Sequence, residues 1–127
     1  SLTGQMSYSW QHAIDITDET EKNYRDQIPY TPKHSGNFSA ALQMPWINIS
    51  YLLTVVGDRY ASPQNIERNL IDRYAEQTVS LNRTFTFGSC SLRLQFDIIN
   101  IGNINYDVVK YYPMPGRSFR GGLVFIY

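Results

Sequence analysis

The sequence predicts an all-β chain, an antiparallel up-and-down meander of about six long strands. Three observations carry that expectation. Apolar residues recur at every second position, the best alternating run is about eleven residues long, and the connections between runs are alternately long and short. A strand sends successive side chains to opposite faces, so clean alternation marks a strand whose two faces meet different surroundings.

The first run has Met6, Tyr8, Trp10, Ile14 and Ile16 set between Gln5, Ser7, Ser9, Gln11, Ala13 and Asp15, which predicts a strand over roughly 4–17. His12 interrupts it on the apolar side. Phe38, Ala40, Leu42 and Met44 then alternate with Asn37, Ser39, Ala41 and Gln43, predicting 36–45, and Pro45-Trp46 ends the run. Ile47, Ile49, Tyr51, Leu53 and Val55 follow at once, opposed by Asn48, Ser50 and Thr54, predicting 47–57. A weaker run with Val79, Leu81 and Phe85 predicts 73–85. Leu92, Leu94, Phe96 and Ile98 predict 90–101, and Phe119, Leu123, Phe125 and Tyr127 predict 117–127. No helix longer than a loop turn is expected, and that one falls around Pro63 to Leu70.

The periodicity also predicts facing. Phe38, Leu42, Ile49, Tyr51, Leu53, Leu94, Phe96, Leu123 and Phe125 should share one surface of a single sheet. Ser39, Ser50, Thr78, Ser80, Gln95 and Arg120 should share the other, because a one-residue slip would turn every apolar side chain to the wrong side.

Length and connections choose the setting. Eleven residues at about 3.3 Å each, tilted about 40°, span roughly 25 Å, the height of the apolar band on an outer-membrane barrel. Strands in soluble proteins run nearer about five or six residues. The polar stretches Asp18–His34, Gly57–Asp72 and Gly102–Gly116 are long, whereas Pro45-Trp46 and the turn around Thr86–Ser89 are short. Long loops on one side and tight turns on the other are how a transmembrane barrel is built. Ten tyrosines among 14% aromatics fit rings at the two headgroup levels, with Trp46, Phe85 and Phe87 toward the short turns and Tyr60, Tyr111 and Tyr112 toward the long loops.

Composition removes other classes. Eleven basic and eleven acidic residues leave no net charge, and no electrostatic footprint for nucleic acid. One cysteine, Cys90, allows neither an internal disulfide nor a thiolate zinc cluster. No apolar stretch is long enough for a transmembrane helix. The opening residues Ser1-Leu2-Thr3-Gly4 do not read as an export signal, so an exported protein is expected to have further chain before them.

The segment Asn100-Ile-Gly-Asn-Ile-Asn-Tyr106, then Tyr112-Pro-Met-Pro-Gly-Arg-Ser-Phe119, then a strand ending in Phe125-Ile-Tyr127 resembles the C-terminus of TonB-dependent outer-membrane receptors. That family carries an Asn-Leu-Phe-type motif before a Tyr-Pro-x-Pro-Gly-Arg loop, here Tyr112, Pro113, Pro115, Gly116 and Arg117, and Asn103 stands where the motif has phenylalanine. Ile28-Pro-Tyr-Thr-Pro-Lys-His34 is similar to the segment before the family's later strands. Arg120, Gly122, Phe125 and Tyr127 occupy the four places of a pattern that resembles the signal read by the barrel-assembly machinery. The resemblance implies the C-terminal part of a barrel of about 22 strands, with the plug domain and the earlier strands outside residues 1–127. It also implies a place in the Gram-negative outer membrane, uptake of cobalamin or a ferric siderophore as a small-molecule nutrient, and TonB, the assembly machinery and lipid as partners.

Candidate sites are few. Arg59, Tyr60 and Tyr111 are the expected contacts at a ligand rim, since loop aromatics and charges are common ligand contacts. His12 and His34 have no serine or acidic context for catalysis, so no catalytic residue, cofactor or metal is expected. Asp15, Asp18, Glu19 and Glu21 lack the glycine and spacing of a calcium loop. A soluble β-sandwich or barrel binding module, or an outer-membrane barrel of another class, stands as the alternative.

Overall fold

The computed structural model describes all 127 residues. Six long strands form one sheet: β1 (Leu2–Trp10), β2 (His34–Gln43), β3 (Asn48–Val56), β4 (Tyr74–Phe87), β5 (Cys90–Ile99) and β6 (Ser118–Ile126). Each pairs antiparallel with the next in sequence, so the sheet is an unbroken meander with β1 and β6 as its edges. The only helical piece is a single 3₁₀ turn at Glu67–Asn69.

The connections sort by side. Residues 11–33, 57–73 and 100–117 gather at one end of the sheet, and 44–47 and 88–89 close the other. The first tight turn is shut by the Met44 N–H donating to the Ile47 carbonyl at 3.0 Å. In the second, Gly88 takes a positive φ of 61°, a conformation that costs glycine nothing.

The register decides the faces, because directly opposed residues in an antiparallel pair point the same way. Met6, Phe38 and Leu53 lie in one row across β1 to β3, and Leu42, Ile49, Leu81 and Phe96 are opposed in turn across β2 to β5. Leu123 opposes Leu94, and Phe125 opposes Leu92, on that same face. Ser39, Ser50, Thr78, Ser80, Gln95 and Arg120 fall on the other. The two predicted sets are therefore the two faces of the sheet.

The first strand is shorter than its alternation predicts. It stops at Trp10 instead of running to 17, and His12, Ile14 and Ile16 lie in the loop. Past Trp10–His34 the register is lost: three steps from Gln11 to Ile14 answer six from Lys33 to Gln27, and that facing segment holds Pro29 and Pro32. Beyond that pair run the Gln11 N–H to the Lys33 carbonyl at 3.0 Å, then the Ile28 N–H to the Ala13 carbonyl at 3.0 Å and the Asp15 N–H to the Asp26 carbonyl at 2.9 Å, the last two around an isolated bridge between Ile14 and Gln27.

Six residues are buried, and of these only Ile71 and Tyr106 are apolar. No second layer covers either face, so this is a wall and not a sandwich. Large apolar side chains such as Met6, Phe119 and Leu123 are well exposed on the apolar face. At its long-loop end that face carries Tyr8, Trp10 and Phe119, and at its short-turn end Phe85, Phe87, Phe125 and Tyr127.

Candidate functional site

What burial there is lies at the long-loop end, over the polar face. Tyr74 and Glu76 belong to that face of β4, and Tyr106 from the 100–117 loop comes down on both. Its ring stacks on Tyr74 with centroids 4.3 Å apart, and its hydroxyl donates to Glu76 Oε2. Burial, and then the Glu76 carboxylate, push the Tyr106 phenol well above its ordinary range.

Arg59 ties a second loop to the same place. It is 4% exposed, its guanidinium lies over the Tyr74 ring at 5.5 Å, and Nη2 donates to the carbonyls of Asp107 at 2.6 Å and Val108 at 3.1 Å. Lys110 Nζ returns the contact by donating to the Leu70 carbonyl. The first loop joins through Asn65, whose Nδ2 donates to the Gln27 carbonyl at 3.0 Å while its backbone N–H donates to Asp26 Oδ2 at 3.0 Å. The Tyr30 N–H reaches the Tyr60 carbonyl at 2.8 Å. All three long loops are thus joined, through the buried Arg59 and the half-buried Asn65 and Lys110.

The loop with the Tyr-Pro-x-Pro-Gly-Arg motif is organised by two asparagines. Asn100 is 1% exposed at a positive φ of 55°, which asparagine tolerates better than most residues. Its side chain donates to the carbonyls of Ile104 and Pro115 and accepts the Ile104 N–H at 3.0 Å. Asn103 Oδ1 accepts the Arg117 N–H at 2.9 Å, and a Cβ on Gly116 would sit 2.7 Å from that oxygen. Arg117 Nε then donates to the Ile101 carbonyl at 3.0 Å. A side chain at 116 would have to displace the Asn103 amide oxygen from the Arg117 N–H.

The three expected rim residues do not converge. Arg59 sits inside, clamping loops, and not at the surface. Tyr60 lines a polar cleft of about 310 Å³ with Gln27, Lys33, Asp58 and Asn65. Tyr111 is 74% exposed at the tip of a hairpin whose flanks are Val109 and Tyr112, with Lys110 Nζ 5.4 Å from its ring. In the first loop, the Asp15 carboxylate accepts the Thr17 N–H and an Asn23 amide hydrogen bond, and Asp18 accepts the Thr20 N–H and hydroxyl. Those backbone N–H groups lower the pKa of both carboxyls. No three His, Cys, Asp or Glu side chains gather as a metal site.

Lower on the polar face, Arg120 Nε and Nη2 both meet Asp97 Oδ2 at 2.8 Å, and Gln95 Nε2 donates to both Asp97 oxygens. The Asp97 carboxylate is 1% exposed. Sequence reasoning missed Asn100, Asn65 and Asp97. The positive-φ tolerance of asparagine was the available signal for the first, and the placement of Asp97 opposite Arg120 on a shared face was the signal for the last.

The one-layer meander, its two unlike faces and its sorted loops define a class of fold: a stretch of transmembrane β-barrel wall. No protein-family model matches the chain, and no curated protein matches it significantly. Solved structures do match. The ferric citrate transporter FecA in its unliganded form aligns over 98% of this chain and 21% of its own, with a TM-score of 0.85 at 16% identity. BauA, the ferric preacinetobactin receptor from Acinetobacter baumannii, aligns over 96% of this chain and 19% of its own, with a TM-score of 0.80 at 11% identity. The chain spans about a fifth of the length of each. Its fold is that of a stretch of each of these two proteins, and the all-β antiparallel meander is the fold expected from the sequence.

Proposed function

We propose that the chain is part of the wall of an outer-membrane receptor that binds a ferric chelate and imports it using TonB. The observation that carries this reading is the six-strand wall itself, apolar on one face and polar on the other, with all long loops at one end. It fits a position with lipid outside, a filled lumen inside and the loops facing the medium. Two solved structures of like fold are a ferric citrate transporter and a ferric preacinetobactin receptor, which favours a ferric chelate over cobalamin.

In this reading Tyr60, in its cleft, and Tyr111, at its hairpin tip, contact the ligand, while Arg59 keeps the loops that present them in place. Phe125 and Tyr127 on the lipid side, with Arg120 and Gly122 on the lumen side, serve recognition by the assembly machinery. Iron-starved cells carrying the full-length protein should accumulate radio-iron from a siderophore, and should lose that uptake when the receptor gene or TonB is deleted. Uptake of every chelate and of cobalamin unchanged by deletion would overturn the reading. Replacing Phe125 and Tyr127 with serine should reduce the heat-modifiable, folded form on a gel far more than serine at Glu19 and Glu21.

A further inference from the structure

The apolar face has a trough near its long-loop end. The row Tyr8, Gly36, Val55, Ala75 crosses β1 to β4, and two of its four members have almost no side chain. The next row down, Met6, Phe38 and Leu53, is bulky. Together they enclose a groove of about 760 Å³, within the range of about 300–1,000 Å³ that holds small ligands. A Cβ on Gly36 would stand 3.1 Å from the Ser7 carbonyl and 3.8 Å from Tyr8 Cδ2, so the groove depends on that glycine.

Its rim has a different chemistry. His34, Asp58 and Arg73 line the upper end. Asp58 Oδ1 is engaged by the Arg73 backbone N–H at 2.8 Å. The chain's one ion pair is Arg120 with Asp97, so the Arg73 guanidinium has no acidic partner. The Tyr8 hydroxyl and His34 Nδ1 lie 2.5 Å apart with their rings stacked, which stiffens one wall. Lys33 stands in the adjoining cleft and adds a second positive charge close to the rim.

We propose that this groove binds one acyl chain of an outer-leaflet lipid whose phosphate-bearing headgroup is held by Arg73 and His34. The inference rests on the outer-membrane reading above. Charge complementarity selects the occupant: a guanidinium without a partner, at the headgroup end of an apolar trough, matches an anionic amphiphile. The trough is also continuous with the face that reading places against lipid.

The full-length receptor, purified in mild detergent, would be offered phosphatidylglycerol, phosphatidylcholine or inorganic phosphate, and bound lipid counted by native mass spectrometry. The protein should retain phosphatidylglycerol in preference to phosphatidylcholine. Arg73→Gln should weaken retention about fivefold, the scale of one basic side chain at an anionic membrane surface. Ala75→Phe, which fills the trough, should weaken it at least as much. Arg83→Gln, an outward arginine at the short-turn end, should leave it unchanged. Inorganic phosphate should not displace the lipid.

Equal retention of the two lipids, displacement by phosphate, or full retention in both groove variants would overturn the proposal while leaving the barrel reading intact. A protein that fractionates away from the outer membrane would overturn both.

Discussion

The sheet and the loop end hold themselves together by opposite means. Across the six strands, order comes from the backbone ladder, and the apolar side chains of one face are left uncovered. At the loop end, order comes from side chains: Arg59, Asn65, Asn100, Tyr106 and Lys110 each bond to another loop, to a distant part of their own loop or to a strand. An uncovered apolar face is stable only in an apolar solvent. A buried polar group left unpaired costs about 1–3 kcal/mol, and at the loop end only Arg59 Nη1 lacks a hydrogen-bond partner, while Nη2 holds two carbonyls. One region is therefore specified by its environment and the other by its own contacts.

The largest effect should follow from removing the environment. The isolated 127 residues present two unpaired edges and an open apolar face, so in detergent-free buffer they should self-associate. A monodisperse monomer by light scattering, with a cooperative melt, would break the comparison and return a soluble module to consideration. Next comes a pair of adjacent residues in β3. Leu53 faces outward and Leu52 faces the polar side. Leu53→Arg should cost about 2–4 kcal/mol of the folded full-length protein's stability in bilayers. Leu52→Arg should cost far less, and equal losses in denaturant titrations would show that the faces are not distinct.

The loop end can be opened separately. Arg59→Met should remove about 1.5–3 kcal/mol of local stability, the scale of hydrogen bonds to a charged group. Hydrogen exchange should quicken in residues 57–73 and 100–117 while the β2–β3 ladder stays protected. Loss of protection throughout would mean that the two regions are one cooperative unit.

How much of this was legible in the sequence follows the same division. Strand count, facing and the alternation of loops could be read because a period of two is a local property of each segment. The end of β1 could not, since Ile14 and Ile16 keep the period and the register is lost against the facing segment 27–33. Arg59 reads as a surface charge between Asp58 and Tyr60. Its burial depends on carbonyls of Asp107 and Val108, which no neighbouring residue announces. Polar clamps between loops leave no periodic trace.

Two smaller effects depend on pH. Unfolded, Tyr106 ionises near its ordinary value of 10, while folded it keeps its proton to higher pH. Above pH 10 the folded state therefore binds more protons, and docking of the 100–117 loop should weaken as pH rises further. Tyr106→Phe should abolish that pH dependence, as read by exchange of the Met114 amide, which donates to the residue 106 carbonyl. The smallest effect is expected in the first loop. Asp15 and Asp18 hold their charge below the ordinary 3.8, so the unfolded chain takes up protons first as pH falls. The Thr17 and Thr20 amides should lose protection only below that pH.

The contact between Asn103 and Gly116 has a consequence for how this sequence can drift. The asparagine oxygen fills the volume beside the glycine and is held there by the Arg117 amide. A side chain at 116 would have to push that oxygen off the Arg117 amide, whereas the phenylalanine that the resembling motif carries at 103 sits beside the same glycine. Among descendants of this chain a lineage that replaces Gly116 should therefore carry a second exchange at 103, whereas exchanges at 103 alone can persist.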